Sequence, residues 1–182
     1  IFRRYNSGIT PLQKYDIDRA AYIDDKLSNR LYDKIYFDDN LYNFLCEIIL
    51  PKSKKKASKR DKVNIVVSLV RNLITLPFIP IYSYSKGSSK AEIICKYYYA
   101  KVANRDVDQI LNKFTMVIIY LIKFNEVCKK QNTYLCNNNL FYETLYWAID
   151  IVLENNKKID DNTIEKIFAY INNAEHHSEL WN

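Results

Sequence analysis

Two glycines and four prolines are spread over 182 residues. That scarcity limits the fold more than any other feature. Sandwiches and barrels turn the chain tightly every few residues, and those turns draw on glycine for positive φ and on proline for a preset φ. Dinucleotide and P-loop folds need glycines where the backbone meets phosphate. The chain has too few for either. Hydrophobic residues nevertheless make up 48% of it, enough for a substantial core. Apolar residues at helical spacing, with few turn formers between them, predict an all-α protein.

The spacing marks successive helices. The first lies around residues 18–35. A second runs over 41–50 with Leu41, Phe44, Leu45, Ile48 and Ile49 on one face; Asp38 or Asp39 caps it and Pro51 closes it. A third, 61–76, carries one stripe of Val63, Val66, Val67, Val70, Leu73 and Ile74, and a second of Ile65, Leu69 and Leu76. Two apolar faces predict a helix covered from more than one direction. "PFIPIYSYSKGSSK" then reads as a long loop over 77–90, followed by a short helix in "AEIICKYYYAKVAN". The longest helix is expected in 106–130, another over 140–154, and a last one opening at "NTIE", with Asn162 as N-cap and Glu165 completing a capping box. Sequential helices of this length predict an irregular α-solenoid of stacked helices, in the manner of HEAT or armadillo arrays. The 182 residues read as one helical domain or a piece of a longer array; the chain opens on Ile1, as expected of a piece.

Charge is concentrated in one segment. "KSKKKASKRDK", residues 52–62, holds six lysines, one arginine and one aspartate. Removing those seven basic residues and one acid from totals of 27 and 21 leaves 20 against 20, so the whole net charge of +6 resides in this stretch. Three readings compete for an inter-helix linker over 51–62: a loop contacting nucleic-acid phosphates, a nuclear-import signal, or a solvated connection. The run holds no aromatic residue, which favours duplex backbone over stacked single strands. Lys52, Lys54, Lys55, Lys56, Lys59, Arg60 and Lys62 are the candidate DNA contacts on charge alone.

The residues of enzymes are sparse. The only histidines, His176 and His177, are adjacent in a polar tail, where neither a triad nor a shared metal is expected. The acid pairs Asp24-Asp25, Asp38-Asp39 and Asp160-Asp161 each precede or open a helix, and capping explains them better than catalysis. Cys46, Cys95, Cys128 and Cys136 form no CxxC pair and read as reduced core residues of an intracellular protein. No cofactor and no metal is expected. The strongest apolar run, "FTMVIIYLIKF", is about half a membrane span and contains Lys123, so no membrane partner is expected.

One helix raises a question of its own. "VSLVRNLITLP" sets Arg71 and Asn72 side by side in an apolar helix that stops at Pro77. With the preceding "FDDNLYNFLCEIIL" and the basic run, it resembles the N-terminal helical region of the Timeless family of replication-fork protection proteins, in which an apolar helix carries R-N-[L/I]-L-x-[I/V]-P. Arg71, Asn72, Leu73 and Pro77 match; Ile74 replaces the usual leucine and Leu76 the usual β-branched residue. "PLQKYDIDRAAY" upstream and "LFYETLYWAIDIVLENN" downstream are similar to further elements of that region, the first less closely. The resemblance implies a nuclear, non-enzymatic scaffold at the replication fork that binds a Tipin-like partner, the replicative helicase and duplex DNA. It also suggests that Asn72 is buried and bonded to a neighbouring layer, while Arg71 points along a groove toward a carboxylate or a helix C-terminus; the plainer alternative is that Arg71 extends its stem to solvent. A complete small viral or parasite helical protein, binding a host protein through a groove as a decoy, fits the composition as well.

Overall fold

In the computed structural model the described residues are 22–84, 90–131, 139–155, 159–166 and 169. They are mostly helical, with no strand among them. The helices are α1 (Lys26–Phe37), α2 (Asp39–Ile48), α3 (Lys59–Thr75), α4 (Lys90–Lys101), α5 (Val107–Gln131) and α6 (Asn139–Glu154), followed by a helical stretch at 161–166. Short 3-10 turns stand at Lys52–Lys54, Leu76–Phe78 and Ile81–Tyr84. The chain divides into two compact units, residues 1–111 and 112–182.

In the first unit, α3 packs against α1, α2 and α4. Its main stripe accounts for this: Val63, Val66, Val67, Val70 and Leu73 are all buried. The second stripe, Ile65, Leu69 and Leu76, is half-buried, so the helix is covered broadly, as its two apolar faces predict. Opposite it, α1 buries Leu27, Leu31 and Ile35, and α2 buries Leu41, Phe44, Leu45 and Ile48. Each such side chain contributes about 1.5–3 kcal/mol by leaving water.

The stretch read as a long loop is more ordered than that. Prolines at both ends of "PFIP" favour tight turns rather than helix. Leu76 O accepts from Ile79 N at 3.0 Å and Pro80 O from Ser83 N at 2.9 Å. Ile79 is buried with Ile93 and Ile94 of α4, and Leu76 and Tyr97 pack against that cluster. Residues 85–89 lie outside the described set. The expected short helix after them is α4, twelve residues long.

In the second unit, the part of α5 beyond Leu111 buries Phe114, Val117, Ile118, Leu121, Phe124 and Cys128, and α6 buries Tyr142, Leu145, Tyr146 and Ile149. Tyr142 donates to Asn125 Oδ1 at 2.5 Å inside this core. Lys113 spans Asp150 (2.8 Å) and Glu154 (2.6 Å). Burial alone would lower the Lys113 pKa, but its hydrogen bonds to the two carboxylates turn the shift upward.

The last described helix starts earlier than the sequence suggests. Asp160, not Asn162, caps it: Oδ1 accepts from Thr163 N at 2.7 Å and from the Thr163 hydroxyl at 2.6 Å. Asp160 stands three residues before Thr163, the spacing a cap requires, whereas Asn162 already lies within the helix. Ile164 of its apolar face is buried; the side chains of Ile167, Phe168 and Ile171 lie outside the described set, as do His176, His177 and Cys136.

Candidate polyanion-binding surface

The basic segment divides into an exposed turn and the start of a helix. After Pro51, residues Lys52–Lys54 form a 3-10 turn, closed by Pro51 O accepting from Lys54 N at 2.9 Å. Ser58 then caps α3: its Oγ accepts from Asp61 N at 3.2 Å and donates to Asp61 Oδ2 at 2.7 Å. This reciprocal cap starts α3 at Lys59, two residues before the sequence-predicted start at residue 61. Lys59, Arg60 and Lys62 therefore sit on the helix and not in a connection.

The seven cations are not equivalent. Lys52, Lys54, Lys55, Lys56, Lys59 and Arg60 are exposed. Lys59 is drawn back over α2: its Nζ lies 2.7 Å from Asp39 Oδ1 and 5.1 Å from the ring centres of Tyr36 and Tyr42. Lys62 is half-buried near Cys46, whose thiol pKa is raised by burial, with the Tyr42 hydrogen bond and the Lys62 charge opposing that rise. Six of the seven candidate contacts are thus exposed on one turn and the first turn of one helix, and Lys59 among them is paired with Asp39. Nothing in the sequence run separates Lys59 from its neighbours; the signal lay twenty residues upstream, in Asp39 and the tyrosines flanking it.

The motif residues lie elsewhere in the first unit, where Arg71 and Leu73 face inward. Arg71 is only 4% exposed, while Asn72 beside it is half-buried, the reverse of the sequence-level expectation. The Arg71 guanidinium stacks over the Tyr22 ring at 3.4 Å, and its Nη atoms donate to Ser28 Oγ (3.1 Å) and Ser68 Oγ (3.5 Å). Asp25, also buried, accepts from Ser28 N at 2.7 Å and from the Tyr98 hydroxyl at 2.5 Å. Burial, followed by the Asp25 hydrogen bond, pushes the Tyr98 hydroxyl far above its ordinary range. Arg71 thus neither reaches along a groove nor extends to water: a planar fork on aromatic faces suits an interior that an ammonium could not enter as cheaply. Leu73 is buried in the core; Pro77 is exposed in the turn after α3. Packing accounts for Arg71 and Leu73.

The acid pairs divide consistently. Asp25, Asp38 and Asp160 each accept from a backbone N–H at the start of a helix. Of their neighbours, Asp39 meets Lys59 and Asp161 meets Lys123 at 3.0 Å. The Asp161 hydrogen bond raises the Lys123 pKa.

An open groove of about 1000 Å³ in the first unit is lined by Asp24, Lys26, Arg30, Tyr99, Arg105 and Asp108 among others. Its charges are partly engaged within the protein. Arg30 pairs with Asp108 at 3.0 Å, and Arg105 stands 4.4 Å over the Phe78 ring. Among the described residues no group of three or more histidine, cysteine or acidic side chains could hold a metal ion, and no helix is long and apolar enough to cross a membrane. Comparison with protein-family models, curated proteins and solved structures returns no match.

Proposed function

We propose that the chain is a non-enzymatic helical scaffold that holds the phosphate backbone of duplex DNA through Lys52, Lys54, Lys55, Lys56 and Arg60. One observation carries this reading. The entire net charge of +6 resides in residues 52–62, and six of the seven cations there are exposed on adjacent turns, Lys59 among them paired with Asp39. Flexible lysines neutralise backbone phosphates without reading sequence, and release condensed counterions as they do so. Lys59, held by Asp39, stabilises the start of α3 and contributes less to the ligand.

The wider role rests on the sequence resemblance alone. In that role the chain belongs to an irregular α-solenoid of the Timeless kind in the nucleus, with a Tipin-like partner and the replicative helicase. The covered position of α3 among α1, α2 and α4 is compatible with an inner helix of such a stack.

Two experiments test the levels separately. Reversing Lys54, Lys55 and Lys56 to glutamate should abolish retardation of a duplex of arbitrary sequence; unchanged retardation overturns the DNA reading. Affinity capture of the chain from nuclear extract of its source, at low and high salt, tests the fork. Recovery of a small Tipin-like protein with helicase subunits at both salts supports it. Recovery of a host signalling or death-pathway protein, with no replisome component, replaces it with the decoy reading.

A further inference from the structure

We propose that Ser58 is a phosphorylation site for a serine kinase that reads basic residues upstream of its target, and that its phosphate weakens the duplex-binding surface. The second half rests on the reading given under Proposed function.

Three consecutive lysines, Lys54, Lys55 and Lys56, stand four, three and two residues before Ser58. Kinases discriminate substrates by charge pattern, and an acidic substrate cleft selects cations at such upstream positions. Ser53, the other hydroxyl of the run, lacks the pattern: Leu50, Pro51 and Lys52 precede it. The structure adds access. Ser58 is exposed, and every residue from Pro51 to Ser58 is exposed except the half-buried Ala57. Turn hydrogen bonds brace the segment, among them Ala57 N to Lys54 O at 3.1 Å and Lys55 N to Lys52 O at 3.3 Å, and the Ser58 cap on Asp61 holds its end. Opening residues 51–58 into an extended kinase-bound form releases the Ser58 cap but takes no buried residue out of the core.

The transfer balances simply. Ser58 Oγ attacks the γ-phosphorus of a nucleoside triphosphate, the bond from that phosphorus to the bridging oxygen breaks, the nucleoside diphosphate leaves, and the hydroxyl proton passes to a base on the kinase. Two local consequences follow. The Ser58 hydroxyl no longer donates to Asp61 Oδ2, and a phosphate carrying about −1.5 to −2 charges is placed beside that carboxylate. It also lies among Lys55, Lys56, Lys59 and Arg60, where it replaces DNA phosphate as their counterion. With about two cations so occupied, duplex affinity should fall by roughly tenfold or more at moderate salt.

The test treats the full chain with the catalytic subunit of cyclic-AMP-dependent kinase and Mg-ATP, maps the phosphate by peptide mass spectrometry, and measures duplex binding before and after. The expected result is phosphate at Ser58. It should be absent from Ser58→Ala and strongly reduced in Lys55→Glu/Lys56→Glu, and kinase treatment should weaken duplex binding by the unsubstituted chain but not by Ser58→Ala. A Ser58 left bare overturns the site while leaving the DNA reading intact. Full modification with unchanged duplex affinity overturns the switch. Failure of the unmodified chain to bind duplex overturns the DNA reading and the switch with it, while the mapped phosphate still decides the site.

Discussion

At the scale of single residues, the pair Arg71-Asn72 shows where the sequence misleads. Both are polar and adjacent, so helical geometry must turn them about 100° apart, and the question is which one faces the core. The flanking valines and leucines do not decide it; the deciding partners, Tyr22, Ser28 and Tyr98, lie far along the chain. Arg71→Ala removes stacking and hydrogen bonding together and should cost about 2–4 kcal/mol. Arg71→Lys keeps the charge but loses the planar fork, and should cost about 1–2 kcal/mol. Asn72→Leu should change stability by less than about 1 kcal/mol. Urea denaturation followed by circular dichroism ranks the three, and a costlier change at Asn72 than at Arg71 would contradict the structure.

Tyr98 provides a second test through pH. Its folded-state pKa is raised above the ordinary 10.0, so the folded protein keeps a proton that the unfolded chain releases. The resulting stability is complete below pH 10.0 and is lost as pH rises from there toward the folded-state value. Tyr98→Phe should therefore cost about 1–3 kcal/mol near neutrality, by removing a donor from buried Asp25, and should flatten the decline of the urea midpoint above pH 10.0.

At the scale of elements, most of the helices were legible because one stripe of apolar residues dominates each. α2, α3, α5 and α6 start or end within about two residues of where periodicity and caps set them. α4 was harder. "KYYYAK" places three tyrosines in a row, of which Tyr98 is buried, Tyr97 half-buried and Tyr99 exposed, so no clean stripe is visible. The last helix starts two residues before the position that Asn162 and Glu165 suggest, because that pair imitates a capping box while Asp160 makes the cap. Asp160→Ala should expose the Thr163 amide to exchange, whereas Asn162→Ala should leave it protected. Hydrogen bonds from Thr163 hold the Asp160 pKa below its ordinary value, so the cap persists above that ordinary value and is lost as pH falls through the lowered one. The Thr163 amide chemical shift, followed into acid, reads that titration directly.

At the scale of the whole molecule, the placement of charge decides what the surface attracts. A protein whose +6 was scattered would attract polyanions weakly and everywhere; here the rest of the chain is neutral, and the field has one origin. The sequence located that origin but could not rank its members, because the pairing of Lys59 depends on Asp39, Tyr36 and Tyr42. The ranking has a thermodynamic consequence. If five cations contact phosphate, log K should fall with log salt at a slope of about −4.5, and replacing Lys54, Lys55 and Lys56 by glutamine should bring it to about −2. Lys59→Gln should move the slope by much less than one exposed lysine does. Because those three lysines are exposed, their replacement should leave the thermal midpoint nearly unchanged, which separates lost charge from lost fold. A slope that falls equally for Lys59 and for Lys55 would mean that the Asp39 pair opens on binding, and that the ligand engages the start of α3 as strongly as the turn before it.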